Sequence, residues 1–270
     1  MRIAFSSDNH LDINRVEVSA VITAQASFLS MRGINYYVNT GDTFNDFAKT
    51  QAFYAQLQQT VGPQTQVRYL AGNHDMLRGA TYAQLEDQTD PRYLNGKIEV
   101  IGPDAVLIGD NGWYDYSFAP AELTLSQLQH WKRAFWVDGV IEQPMSDQER
   151  FKISLERTAK MLTAAAGRRV FYATHFVPDL RFLNPRMLAD QKVGRYAAAF
   201  LGSRAMSNLL SQYPQVTAAF GHLHQRDGIR ELDGVTYVHN PVGYGTKRRH
   251  EWQSADFMTE WQSSLEIIDF

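Results

Sequence analysis

Five short apolar runs in this chain each end on side chains that can bind a metal ion. Ile3 to Phe5 runs through Ser6 and Ser7 into Asp8-x-His10, and Tyr37-Val38 leads into Gly41-Asp42. Tyr69-Leu70 leads into Gly72-Asn73-His74-Asp75, Tyr172-Ala173 into His175, and Ala219-Phe220 into Gly221-His222-x-His224. Singly, each block is an ordinary polar turn at a strand end, where Asp, Asn, Gly and His are common. Together they hold five of the eight histidines. They also sit where an α/β sheet binds ligands, beyond the carboxyl ends of its strands. On extended backbone, Asp-x-His and His-x-His would each point both side chains to one face, a spacing suited to chelation.

Seven candidate ligands emerge: Asp8, His10, Asp42, Asn73, His175, His222 and His224. That exceeds the four or so that one Zn²⁺ takes, and a carboxylate such as Asp42 can bridge two ions about 3.5–4 Å apart. Two divalent transition-metal ions are therefore expected. Imidazole, carboxylate and amide without thiolate suit Mn, Fe, Zn or Co and favour neither Mg nor Ca. The chain has no cysteine, which excludes disulfides, thiolate sites and a cysteine nucleophile.

Loops can converge in this way only if the elements before them form sheets. Runs rich in β-branched and aromatic residues alternate with segments of helical period, the mark of an α/β layered fold. Asn14 to Arg32 reads as a helix with Val18, Val21, Ile22, Phe28 and Leu29 on one face and Gly33 as its stop, and Phe47 to Leu57 reads as another. Ile98 to Ile101, Ala105 to Ile108, Val235 to His239 and Leu265 to Phe270 are further strands. About nine strands are more than one comfortable sheet, so two packed sheets with helices outside are expected.

A single domain is expected over 1–270, with a helical, aromatic-rich insertion at about 113–167 containing Trp113, Tyr114, Tyr116, Phe118, Trp131, Phe135 and Trp136. Ser146-x-x-Glu149 reads there as a capping box, ahead of a helix with the apolar face Phe151, Leu155, Leu162 and Ala166 and a stop at Gly167. The aromatics read first as core packing; the alternative is that some of them wall a substrate pocket.

With 270 residues, 44% of them hydrophobic, the chain can bury most of its surface. A net charge of -3 and a pI near 6.2 provide no overall basic field for collecting phosphates, so nucleic acid stays an alternative partner that is not favoured. The one concentrated basic run, Lys247-Arg248-Arg249, reads as a solvated face or as a contact for a distal substrate phosphate, and Arg226 is similarly ambiguous. His130 and His250 read as structural or solvated; His239 is less clear. No apolar run approaches the roughly 18 residues of a membrane span, and no secretory leader is visible, so a cytoplasmic protein is expected. The oligomeric state is left open.

The pattern Asp8-x-His10, Gly41-Asp42-x-x-Asn45, Gly72-Asn73-His74-Asp75, His175 and Gly221-His222-x-His224 covers nearly the whole chain and resembles that of calcineurin-like metallophosphoesterases. Asn111 to Asp115, Phe200 to Ser203 and His239 to Gly245 make it similar to the small bacterial phosphoesterases among them. The resemblance implies a four-layer α/β/β/α sandwich, two mixed sheets flanked by helices. It further implies that Asp8, His10, Asp42 and His224 hold one ion and that Asp42, Asn73, His175 and His222 hold the other. His74 would sit at the phosphate, oriented by Asp75. Asn45 stands where many relatives carry Asp or Glu.

The expected activity is dinuclear-metal-dependent hydrolysis of a small phosphorylated substrate, by in-line attack of a water deprotonated between the ions. Two divalent ions against Asp8 and Asp42 leave a site of about +2 by formal count, which attracts phosphate. A phosphodiester or cyclic nucleotide ranks slightly ahead of a monoester. The alternatives are a nuclease, or a non-catalytic metal-binding scaffold of the same fold.

Overall fold

The computed structural model describes residues 1–87, 89–190 and 192–270. Its strands are β1 (Arg2–Ser6), β2 (Tyr36–Asn39), β3 (Gln66–Tyr69), β4 (Lys97–Val100), β5 (Ala105–Gly109), β6 (Arg169–Ala173), β7 (Val216–Ala219), β8 (Gly228–Leu232), β9 (Val235–His239) and β10 (Glu266–Asp269). They form a four-stranded sheet in the order β10-β1-β2-β3 and a six-stranded sheet in the order β4-β5-β6-β7-β9-β8. Both are mixed: β10, β4 and β8 run antiparallel to their neighbours while the central strands are parallel. The expected pair of mixed sheets flanked by helices is present.

Alternation along the strands explains the layering, because successive side chains leave opposite faces. Ile3, Phe5, Val38, Leu107, Phe171, Ala173, Ala219 and Val238 form one buried cluster between the sheets, with Phe5 and Phe171 meeting across it at 6.2 Å between ring centroids. Their neighbours Ala4, Tyr37, Val106, Ile108, Val170, Tyr172 and Ala218 face the other way, into the larger cluster shared with the helices. Parallel register then sets the level of the loops. Ser6 lies opposite Asn39 and Asn39 opposite Tyr69, while Ala173 lies opposite Ala219. Each metal-type block therefore starts at the same end of its sheet.

The helix at Val18–Met31 begins four residues later than Asn14 because the Glu17 carboxylate caps it, accepting from the N–H groups of Ser19 and Ala20. The helix starting at Phe47 runs past Leu57 to Val61 and ends at Gly62. The Ser146–Glu149 capping box forms at the head of Asp147–Ala164, but Ala165 rather than Ala166 is the buried residue at its far end. Among the described residues ten strands replace the nine expected, because the edge strand β8, GIREL, is half exposed and lacks an apolar run. Within 113–167, Trp113, Tyr114, Tyr116 and Phe118 are core, whereas Phe135 is exposed. No helix among the described residues is long and apolar enough to cross a membrane.

The C-terminal helix Phe257–Ser264 is tied to the smaller sheet through Trp261, fully buried against Phe28 and Tyr37 with its indole N–H donated to the Tyr37 hydroxyl at 3.3 Å. Trp261→Ala leaves a large cavity there. It should lower the unfolding free energy in a urea titration by about 3–5 kcal/mol.

Candidate metal centre

The side chains expected to chelate do converge, though by a different backbone route. Asp8, His10, Asp42 and His222 have φ of 55°, 44°, 60° and 73°, left-handed values that cost side-chain-bearing residues energy and cluster at functional sites. The strands end before the ligands, so Asp8 and His10 converge through tight left-handed turns and not through strand alternation. Those turns are stitched together by the Asp8 N–H on the Gly41 carbonyl and the His10 N–H on the Asp42 carbonyl, both 2.9 Å. Two glycines allow the approach. A Cβ on Gly72 would collide with Oδ1 of Asp42, and one on Gly221 would lie 2.6 Å from Oδ2 of Asp8.

Two clusters result, with Asp42 between them. In the first, Nε2 of His10 and Nε2 of His224 face each other at 3.1 Å, with Asp8 Oδ1 3.8 Å and 3.4 Å from them and Asp42 Oδ2 3.7 Å from His10. In the second, Asn73 Oδ1 lies 3.0 Å from His175 Nε2 and 2.9 Å from His222 Nδ1, while Asp42 Oδ1 is 3.5 Å from His175 Nε2. Ligands about 2.1 Å from a shared ion are separated from one another by roughly 3.0–3.4 Å, so this donor set fits a pair of divalent ions. All seven expected ligands are buried or partly buried here.

Electrostatics hold three of the imidazoles in the neutral, ligating form and set Asp42 and His224 against it. Burial holds His175 down to about 4 and, with neighbouring imidazoles, keeps His10 and His222 well below the usual histidine range. Burial, and then the nearby Asp8 carboxylate, push Asp42 well above the carboxylate range. His224 goes the other way: burial opposes its charge, but hydrogen bonds to Asp8 and Glu251 outweigh that and raise it to about 9. Two buried carboxylates sharing imidazoles need positive charge between them, which a cation supplies.

Around the clusters lie residues that the sequence did not mark. Outer partners fix the ring orientations: His175 Nδ1 donates to the Thr40 carbonyl at 2.9 Å, His222 Nε2 to the Phe200 carbonyl at 3.2 Å, and His224 Nδ1 to Glu251 at 2.7 Å. The Asn73 amide nitrogen donates to the buried Asp138 at 2.7 Å, which aims Oδ1 at the two rings. Asp138 and Glu251 were invisible because acidic residues in a helical segment or a polar loop carry no pattern. Phe200 and Tyr244 lay within stretches noted only for their resemblance.

His74 lines the same cavity, but Asp75 does not orient it. Its Nδ1 is 2.7 Å from Oδ1 of Asn45, and its Nε2 is 3.4 Å from the Tyr244 hydroxyl. Asp75 points back into the loops. It accepts from the N–H groups of Asp42 (2.7 Å), Gly72 (2.9 Å), Phe44 (3.0 Å) and Thr43 (3.1 Å), and from the Thr50 hydroxyl at 2.5 Å. Elsewhere, Arg226 pairs with Glu260 at 2.6 Å, and His239 lies stacked on Phe220 with Nδ1 2.9 Å from Asp227. His130 and His250 are exposed.

The sequence model of the calcineurin-like phosphoesterases matches residues 1–226. The chain belongs to that family. It is a metal-dependent phosphoric ester hydrolase by that membership, and the family implies the divalent ions that these clusters fit. Among solved structures, a phosphopantetheinyl hydrolase from Mycobacterium tuberculosis superposes with a TM-score of 0.70 at 16% identity, covering 98% of this chain and 95% of the other. A protein of Thermus thermophilus gives 0.54 at 12% identity over 90% and 89%, and a dimetal phosphatase from Danio rerio gives 0.50 at 13% over 88% and 86%. At these identities the likeness is one of fold. Comparison with curated protein sequences gave no match.

Asp75 thus locks the second and third loops of this calcineurin-like phosphoesterase together. Asp75→Asn replaces one accepting oxygen by a donor and orphans at least two buried N–H groups. It should cost about 2–4 kcal/mol in chemical denaturation, a loss that a role confined to His74 would not produce.

Proposed function

We propose that the chain hydrolyses a phosphate ester at two divalent transition-metal ions, one held by Asp8, His10, Asp42 and His224, the other by Asp42, Asn73, His175 and His222. Manganese, iron and zinc suit the nitrogen and oxygen donors. The observation that supports this is the sharing of Asp42: one oxygen faces His10 of the first cluster and the other faces His175 of the second. When bound, the ions supply Lewis acidity to the phosphoryl oxygens and acidify the attacking water.

The protein groups do the rest. Asp42 holds the two sites in fixed relation, and the His74 N–H donated to Asp42 Oδ1 at 2.8 Å keeps that carboxylate from swinging. The His74 ring is braced at Nδ1 by Asn45, which leaves Nε2 to the cavity. Burial, and then the neighbouring His224 and His175, hold the His74 ring down to about 3, so it takes up a proton only where an anionic phosphate against it offsets that cost; there it stabilises the transition state or protonates the leaving oxygen. Of the basic run, only Arg249 is among the cavity-lining residues, which supports a phosphodiester or cyclic nucleotide ahead of a nucleic-acid strand.

His74→Ala should keep both metals, read by elemental analysis, and lose about 10²–10⁴-fold in turnover of an aryl phosphodiester. Asp42→Ala should lose metal. Parental turnover by the His74 variant would overturn the assignment, and a panel of monoester, diester, cyclic-nucleotide and single-stranded DNA substrates ranks the ester classes.

A further inference from the structure

The cavity over the two clusters holds about 610 Å³, and its two flanks differ in chemistry. One flank rises from the second cluster. Asp138, which holds Asn73, also accepts the Trp136 indole N–H at 3.0 Å, and Trp136 stacks on Phe200, whose carbonyl holds His222. From Trp136 this wall continues through Phe135 and Val137 toward Met187 and Leu201, and Phe135 is 72% exposed. A phenylalanine left that open beside a reaction centre is surface that an apolar ligand would cover.

The other flank rises from the first cluster. The Tyr244 ring packs 4.6 Å from that of His10 and 4.5 Å from that of His224, and the Arg249 guanidinium lies over it, 5.4 Å from the centroid. Arg249 forms no ion pair among the described residues. Glu251, also on the lining, is already engaged by His224 and by the Tyr244 N–H. Arg249 is therefore a cation at the rim with its hydrogen-bonding fork available to an anion.

We propose that the substrate is a phosphodiester with two unlike arms. An apolar or aromatic arm lies against Phe135 and Trp136, and the other arm ends in an anionic group bound by Arg249. This rests on the reading above, in that the phosphorus sits at Asp42 between the two flanks. A monoester would leave one flank unused, whereas a diester reaches both.

The test is calorimetric binding to the manganese-loaded protein of three dialkyl phosphates: hexyl carboxyethyl, hexyl propyl and methyl carboxyethyl phosphate. Turnover of bis(p-nitrophenyl) phosphate is measured in parallel. The hexyl carboxyethyl compound should bind about tenfold more tightly than either relative. Arg249→Met should remove the advantage of the carboxylate and keep that of the hexyl chain, and Phe135→Ala should do the reverse; both residues are exposed, so the fold is undisturbed. Equal binding of the three compounds, no binding of any, or advantages that survive both substitutions would overturn the inference, even with bis(p-nitrophenyl) phosphate hydrolysed. Selective binding with no turnover would uphold this substrate class and remove the hydrolytic reading instead.

Discussion

Two carboxylates, Asp8 and Asp42, are buried beside the same imidazole, His10, and most of the loop architecture serves to keep them there. Buried like charges repel strongly because little water screens them. The arrangement is tolerable when cations lie between them, and the surrounding groups are set for that outcome. Three imidazoles are kept neutral by burial, and an amide oxygen, Asn73 Oδ1, is aimed at two of the rings. A site evolved only for packing would have no reason to accumulate these groups against one another.

The price of this convergence is local backbone strain, and the scaffold offsets it. Four expected ligands are left-handed at φ, a conformation that persists only where neighbours over-determine it. Here the over-determination is visible. In-register parallel strands bring the loops to one level, loop-to-loop backbone hydrogen bonds fix Asp8 and His10, and Asp75 gathers four N–H groups from two loops. The C-terminal segment adds a further clamp through Val242 and Gly243, whose N–H groups bond to the carbonyls of Ser7 and Asp8.

Residue type and order made the candidate ligands legible, and alternation made the sheets legible. Asp8, His10, Asp42, Asn73, His175, His222 and His224 converge at the ends of the five blocks, yet Asp8, His10 and His222 do so through left-handed backbone and not through the extended geometry that their spacing predicts, because a left-handed turn has no period to read. Partnerships across long sequence distances were not legible. Asp138 reaches Asn73 from 65 residues away and Glu251 reaches His224 from 27, and nothing local to either acid signals its partner. Asp75 shows a third limit: the resemblance implied that it orients His74, but its carboxylate is taken up by loop N–H groups and the Thr50 hydroxyl, and Asn45 holds the ring instead. The half-exposed β8 escaped notice because an edge strand need not be apolar.

The central claim is that Asp42 joins two metal sites, and anomalous diffraction from crystals grown with manganese tests it most directly. The account predicts two anomalous peaks about 3.5–4 Å apart on either side of Asp42, one against His10 and His224 and the other against His175 and His222. A single peak at full manganese loading, or peaks that leave Asp42 uncoordinated, would contradict it.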